Sequence, residues 1–228
     1  MTAAVVLHPF AENVWLAHRP LRFWGVDTGT RMTVVRLGHG GLFVHSPVAL
    51  DPSTKAAIEA LGPVKAVVAP SRFHHLFVGE WIRAYPEAKA WACPGLEHKR
   101  RDLPWRGVLG DEPEEPWRGE IEQVFFGARW LENEVVFFYR SSSTLICADL
   151  IFNLAEHPSR ATRLAALLLA NRQPGATWLE HVIMRDRLAA RAQVDRMIAW
   201  RPERIALAHG ALVEHDGCNV LRRAYAWL

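Results

Sequence analysis

The chain of 228 residues is 50% hydrophobic and 22% charged, with 27 lysines and arginines against 24 aspartates and glutamates. That composition excludes a disordered chain, a collagen-like repeat and a coiled coil, and the length is enough to bury a core without a disulfide or structural metal. The net charge is +3 and the one dense basic run, His98-Lys99-Arg100-Arg101, ends at once in Asp102, so no concentrated stripe for nucleic acid is expected.

Residues 32–37 predict a strand, Gly38-His39-Gly40-Gly41 a turn, and residues 42–45 a second strand. A helix comes next, capped by Ser53, with Ala57, Ile58 and Leu61 on its apolar face and Gly62-Pro63 as its stop. Residues 64–69 read as a buried strand. Residues 102–119, rich in proline and acidic side chains, predict a long surface loop. The same order then recurs. Residues 135–139 and 144–148 are strands around a turn, residues 159–170 and 186–200 are helices, and residues 204–208 form a closing strand.

No linker divides the chain, so residues 1–228 are expected to form one domain. Runs such as Val-Val-Phe-Phe are apolar on both faces, as sheets covered on both sides require. Two hairpin–helix–strand units therefore predict two sheets packed face to face, with helices outside. The longest strongly apolar run, residues 164–170, is far too short to span a bilayer, and the start does not resemble a signal peptide. Neither membrane nor nucleic acid is expected as a partner; a small-molecule substrate is. Cys93, Cys147 and Cys218 form no C-x-x-C pair and no disulfide framework, which points to a reduced, cytoplasmic protein.

Three brief exits come after buried strands: residues 70–75, Asp149, and His209-Gly210. Ligand sites in α/β sheets form outside the carboxyl ends of strands, so these exits are expected to share one rim. Most of the eleven histidines stand in polar or turn contexts. His74 and His75 differ, because they directly follow a buried strand. With Asp149 and His209 they offer the imidazole and carboxylate donors that zinc or ferrous iron takes.

Strand, histidine-bearing loop, a hairpin ending in Ala148-Asp149-Leu150 and a strand ending in Ala208-His209-Gly210 resemble the metallo-β-lactamase superfamily. Arg-Met-Thr-Val-Val-Arg-Leu, Val-His-Ser-Pro-Val-Ala-Leu and Pro-Ser-Arg-Phe-His-His-Leu-Phe are similar to one bacterial domain-of-unknown-function branch of it. The resemblance runs from about Phe10 to the C-terminus and implies a four-layer αββα sandwich, an α/β fold. The superfamily motif H-x-H-x-D-H is degenerate here. Ending it on His75 sets His74 at the aspartate, Arg72 at the second histidine and Pro70 at the first. The middle histidine of a later motif becomes Trp130. The resemblance thus implies that one metal position is erased, while His74, His75, Asp149 and His209 retain the other.

The same resemblance implies a hydrolase using one zinc or iron ion on a small ester, amide or phosphoester through a metal-activated water. Asp149 would orient the water, and Arg72 would supply the positive charge of the missing ion. Four protein ligands would, however, fill a tetrahedral zinc site, whereas catalytic zinc keeps a position open. A ferrous redox enzyme and a metal-free binding or scaffold module are the alternatives.

Overall fold

The computed structural model describes residues 6–23, 25–129 and 133–228. Among them the first sheet runs in the order β1 (His8–Ala11), β2 (Val14–Arg19), β5 (Thr30–Arg36), β6 (Leu42–His45), β7 (Val64–Ala69), β8 (Lys89–Ala92) and β9 (Gly107–Val108). It is antiparallel from β1 to β6 and parallel from β6 onward. The second sheet is β10 (Ile121–Phe126), β11 (Glu134–Tyr139), β12 (Thr144–Ile146) and β13 (Arg204–Ala206), with only the last pair parallel. A short ribbon of β3 (Arg22–Phe23) and β4 (Val26–Asp27) stands apart from both.

The doubly apolar strands explain how these sheets stack. On β11, Val135, Phe137 and Tyr139 point into a core shared with the first sheet, while Val136 and Phe138 point to the opposite side. Phe137 meets Phe43 edge-on at 5.3 Å between centroids, which seals the inner layer. On the far side Phe138 stacks on Trp200 at 5.5 Å. Truncating such a core phenylalanine costs about 3–5 kcal/mol. The result is the four-layer αββα sandwich.

Helix α1 (Pro52–Leu61) begins earlier than expected, because Asp51 rather than Ser53 caps it. The Asp51 carboxylate accepts Thr54 N at 2.7 Å and the Ser53 hydroxyl at 2.6 Å, so serine assists the cap instead of forming it. Helix α2 (Val78–Ala84) buries Trp81, whose indole donates to Val48 O at 2.7 Å. Helix α3 (Leu96–Lys99) carries the first half of the basic run. Residues 102–119 differ from a plain surface loop. They contain β9 and a turn of 3-10 helix, and they drive Leu109 and Trp117 into the core. The Trp117 indole donates to Gln123 Oε1 at 3.0 Å, so an aromatic side chain overrides the local proline and acid content.

On the other outer face, α6 (Arg187–Ala199) and α7 (Gly217–Ala224) bury Ala190, Val194, Met197, Val220 and Leu221 against the second sheet, while α4 (Arg160–Leu168) packs beside β4 and α5 (Leu179–Ile183) comes after it in the chain. Ser159 and Asp186, the first residues of the two expected helices, serve as the N-caps of α4 and α6. No helix of the described residues is long and apolar enough to cross a membrane.

Candidate metal centre

Three strand ends deliver three side chains to one point. His74 leaves β7 on the loop that begins at Pro70, Asp149 comes after β12, and His209 comes after β13. One ligand atom from each lies within 4.8 Å of the others. Asp149 holds His74 Nε2 3.2 Å from one carboxylate oxygen and His209 Nε2 3.1 Å from the other. The two Nε2 atoms are themselves 3.2 Å apart.

Each imidazole is fixed from behind. The Gly29 carbonyl accepts from His209 Nδ1 at 2.8 Å, which sets a proton on Nδ1 and turns Nε2 toward Asp149. Ser46 Oγ lies 2.8 Å from His74 Nδ1. Phe152 stacks on the His209 ring at 5.5 Å and 8°. Partners of this kind orient the histidines of metal sites in general. The His209 turn is clamped by Arg31, whose guanidinium donates to Leu207 O and, at 2.8 Å, to Gly210 O. Gly210 has φ +94°, and a Cβ there would come within 1.9 Å of Asn153 O, so only glycine permits this turn.

The electrostatics of the cluster are opposed by burial and settled by proximity. Burial alone would raise the Asp149 carboxyl, but the adjacent His74 and the bonds from both histidines hold it well below the usual range. Burial would lower His209, yet the bond and charge of Asp149 outweigh it and raise its pKa. Asp149 is therefore an anion across the neutral range. Two imidazole nitrogens and a carboxylate at these spacings fit a single zinc or ferrous ion, whose bonds to such donors are about 2.0–2.2 Å.

His75, expected in the same set, is not brought to this point. Its ring turns the other way, with Nδ1 3.2 Å from Arg100 Nη1, and burial with the nearby Lys99 and Arg100 charges lowers its pKa to about 4. Adjacent residues in a tight loop project apart, which is why only one of the pair reaches the cluster. Arg72 is exposed and its side chain passes Gly95, while its carbonyl accepts from Lys99 Nζ at 2.9 Å. The expected approach of Arg72 to Asp149 is thus not among the contacts that set that carboxylate. Pro70 offers only its carbonyl, to Val135 N at 2.8 Å. Trp130 lies outside the described residues.

Sequence reasoning missed the support beneath Asp149. Glu134 is fully buried, and its carboxylate accepts the backbone N–H of Ala148 and, at 2.9 Å, that of Asp149. Its own backbone bridges Ser71 on the His74 loop, so one residue ties two ligand loops together. Arg129 reaches Glu134 at 3.7 Å and Glu180 of α5 at 2.8 Å. Burial and the Asp149 charge push Glu134 up to about 7, against the pull of Arg129. A carboxylate inside an apolar strand run, Glu-Val-Val-Phe-Phe-Tyr, is the signal that could have found it, since such a charge needs buried partners.

The sequence matches the model of a domain of unknown function, DUF4336, over residues 11–187. The chain belongs to the DUF4336 family. No curated protein matches the sequence of this DUF4336 chain. Among solved structures it is similar to the DIM-1 metallo-β-lactamase exposed to ceftazidime, with 15% identity and TM-score 0.67 over 97% of this chain and 96% of that one. A metallo-β-lactamase from Pontibacter korlensis has 12% identity and TM-score 0.64, covering 96% of both chains. The FIM-1 metallo-β-lactamase from Pseudomonas aeruginosa in its mono-zinc form has 13% identity and TM-score 0.61, over 97% of this chain and 94% of that one. The likeness establishes the metallo-β-lactamase fold for the DUF4336 chain.

Proposed function

We propose that this DUF4336 protein is a hydrolase that uses one metal ion, held by His74, Asp149 and His209, to cleave a small ester, amide or phosphoester. The observation that carries the reading is the convergence of three donors instead of four. With His75 turned toward Arg100, three protein ligands leave one position of a tetrahedral ion for water or substrate. Zinc or ferrous iron there would polarise the scissile group and lower the pKa of a water toward 7.

The chain's own residues do the rest. Gly29 O and Ser46 Oγ hold the imidazoles so that both Nε2 atoms face the same point. Asp149 remains ionised and accepts a hydrogen bond from an incoming water, which orients its lone pair toward the substrate. Arg72, on the same loop as His74, supplies a permanent positive charge for an anionic substrate group. That only a single metal is held is supported by Pro70 and Arg72, which stand where the resemblance sets two ligands of the other metal.

The opposing reading is a metal-free binding module in which His209 carries a proton shared with Asp149. Contacts of 3.1–3.2 Å, already within hydrogen-bond range, favour it. Elemental analysis of protein purified without an affinity tag separates the two. About one equivalent of zinc or iron, with hydrolysis of one class among small esters, lactones and phosphodiesters, supports the hydrolase. Absence of metal after incubation with zinc and with ferrous iron overturns it.

A further inference from the structure

Helix α4 is built inside out. It buries the small Thr162 and Ala166 and turns Leu164, Leu167 and Leu168 to solvent, at 58, 51 and 71% exposure. Positions i, i+3 and i+4 share one helical face, so the three leucines form a single ridge. The ridge continues into α5. The Trp178 indole donates to Leu168 O at 2.9 Å while the ring stays 46% exposed, and Leu179 and Val182 lie one turn apart, also exposed. A soluble chain gains nothing from exposing this set where Thr and Ala occupy the buried face, and contiguous apolar patches of this kind mark contact surfaces.

The charges along residues 160–187 bear on what it contacts, although Arg163 also donates to His157 O and Pro158 O and Arg187 lies over the Trp227 ring. Arg160, Arg163, Arg172, Arg185 and Arg187 are all exposed along residues 160–187. Of the two acids in that span, Glu180 is buried against Arg129 and Asp186 is occupied in capping α6. A second copy of the chain would bring one arginine rim against another, which disfavours a symmetric dimer. The leucines also project from a helix and do not line a groove of the kind that receives a peptide.

We propose that this face docks on an anionic lipid surface, with α4 lying in the interface plane. The leucines and Trp178 enter the acyl boundary, and the arginines meet headgroup phosphates. The apolar run that is too short to span a bilayer is long enough to lie on one. This surface is independent of the metal reading.

Sedimentation with vesicles tests it. The full chain is expected to pellet with vesicles of phosphatidylglycerol mixed with phosphatidylcholine, and not with phosphatidylcholine alone. Raising salt toward 1 M, where the screening length falls to about 3 Å, weakens the binding. The Leu167→Gln/Leu168→Gln variant should bind at least about tenfold more weakly, with an unchanged circular dichroism spectrum. Leu164→Gln is the second variant, in case the double change disturbs the fold. The proposal is overturned by no pelleting with anionic vesicles, by pelleting that both variants retain, or by a dimer in light scattering that the variants abolish. Equal affinity for poly-glutamate in solution, lost in the same variants, assigns the face to an acidic protein and overturns it too.

Discussion

Two polar clusters lie buried side by side in this molecule, and they are built on opposite plans. In one, His74, Asp149 and His209 aim donor atoms at a common point, and each imidazole spends its other nitrogen on a fixed partner behind it. In the other, Arg129 sits between Glu134 and Glu180, so that one cation is shared by two carboxylates within the cluster. The first cluster has the arrangement that the proposed metal ion would need. The second is organised to hold its neighbours still, since Glu134 spends its carboxylate on the amides that set Asp149. The distinction teaches that burial and charge alone do not mark a candidate binding site; the convergence of donor atoms on one point does.

The largest effects should separate the two clusters cleanly. Asp149→Ala is expected to abolish metal binding, read as metal content after dialysis, while lowering the midpoint of urea unfolding of the metal-free protein only modestly, through loss of the bonds from His74 and His209. The carboxylate lies beside the Glu134 charge, so its removal also relieves a repulsion. Arg129→Met should do the reverse. Leaving Glu134 and Glu180 without their shared cation costs about 3–5 kcal/mol, measured by urea unfolding of the metal-free protein. Equal stability losses in the two variants would merge the clusters into one.

Glu134→Gln lies between these extremes. Glutamine offers one carbonyl oxygen and an NH2 group, so one of the amides of Ala148 and Asp149 then faces a donor. Metal affinity should fall by about 10–100-fold in chelator competition, the usual effect of losing an outer-shell partner. An unchanged affinity would show that Asp149 is set by its own loop and not by Glu134.

Much of this is legible in the sequence, and the reasons are local. The Val-Val-Phe-Phe run announces a strand covered on both faces, and the three strand exits announce a shared rim, because both signals depend only on residues near one another. His75 is not resolved from His74, because the direction of two adjacent side chains is set by the loop backbone and by Arg100, a distant residue in the chain. Trp117 escapes for the same reason. Its burial depends on packing against Phe43 and Trp91, distant in sequence, at 5.1 and 4.8 Å. The outward leucines of α4 yield only a length, since periodicity tells which residues share a face but not which face meets the core.

His45 sharpens the comparison through pH. It is buried against Phe137, and neither ring nitrogen has a hydrogen-bond partner among the described residues. Burial first, and the neighbouring His74 second, lower its pKa to about 3. The ring is therefore neutral in the folded chain, whereas the unfolded chain takes up a proton below about pH 6.5. The stability tied to this difference is complete above about pH 6.5 and is lost as the pH falls toward 3. Between about pH 6.5 and 5 the loss is about 2 kcal/mol, at about 1.4 kcal/mol per pH unit for one proton. Denaturant midpoints across that range should flatten in His45→Phe, while its midpoint in mildly alkaline buffer holds or rises. A slope unchanged by the substitution would return the acid sensitivity to the other buried groups.

The smallest effect belongs to Arg72, the one site residue of the sequence reading that stands in solvent. Its side chain passes the edge of Gly95, where even an added Cβ would sit 3.8 Å away, so nothing packed depends on it. Exposed positions of this kind change stability by less than about 0.5 kcal/mol when substituted. Arg72→Ala should therefore leave both metal affinity and unfolding midpoint where they were, and a drop in either would place Arg72 in the donor cluster's support after all. What it should change is KM for a carboxylate- or phosphate-bearing substrate, by a modest factor that shrinks as salt is raised, because an exposed charge acts through a screened field. A neutral ester should feel none of it. Equal losses on neutral and anionic substrates would remove substrate charge from the account of this loop and leave His74 as its sole contribution to the site.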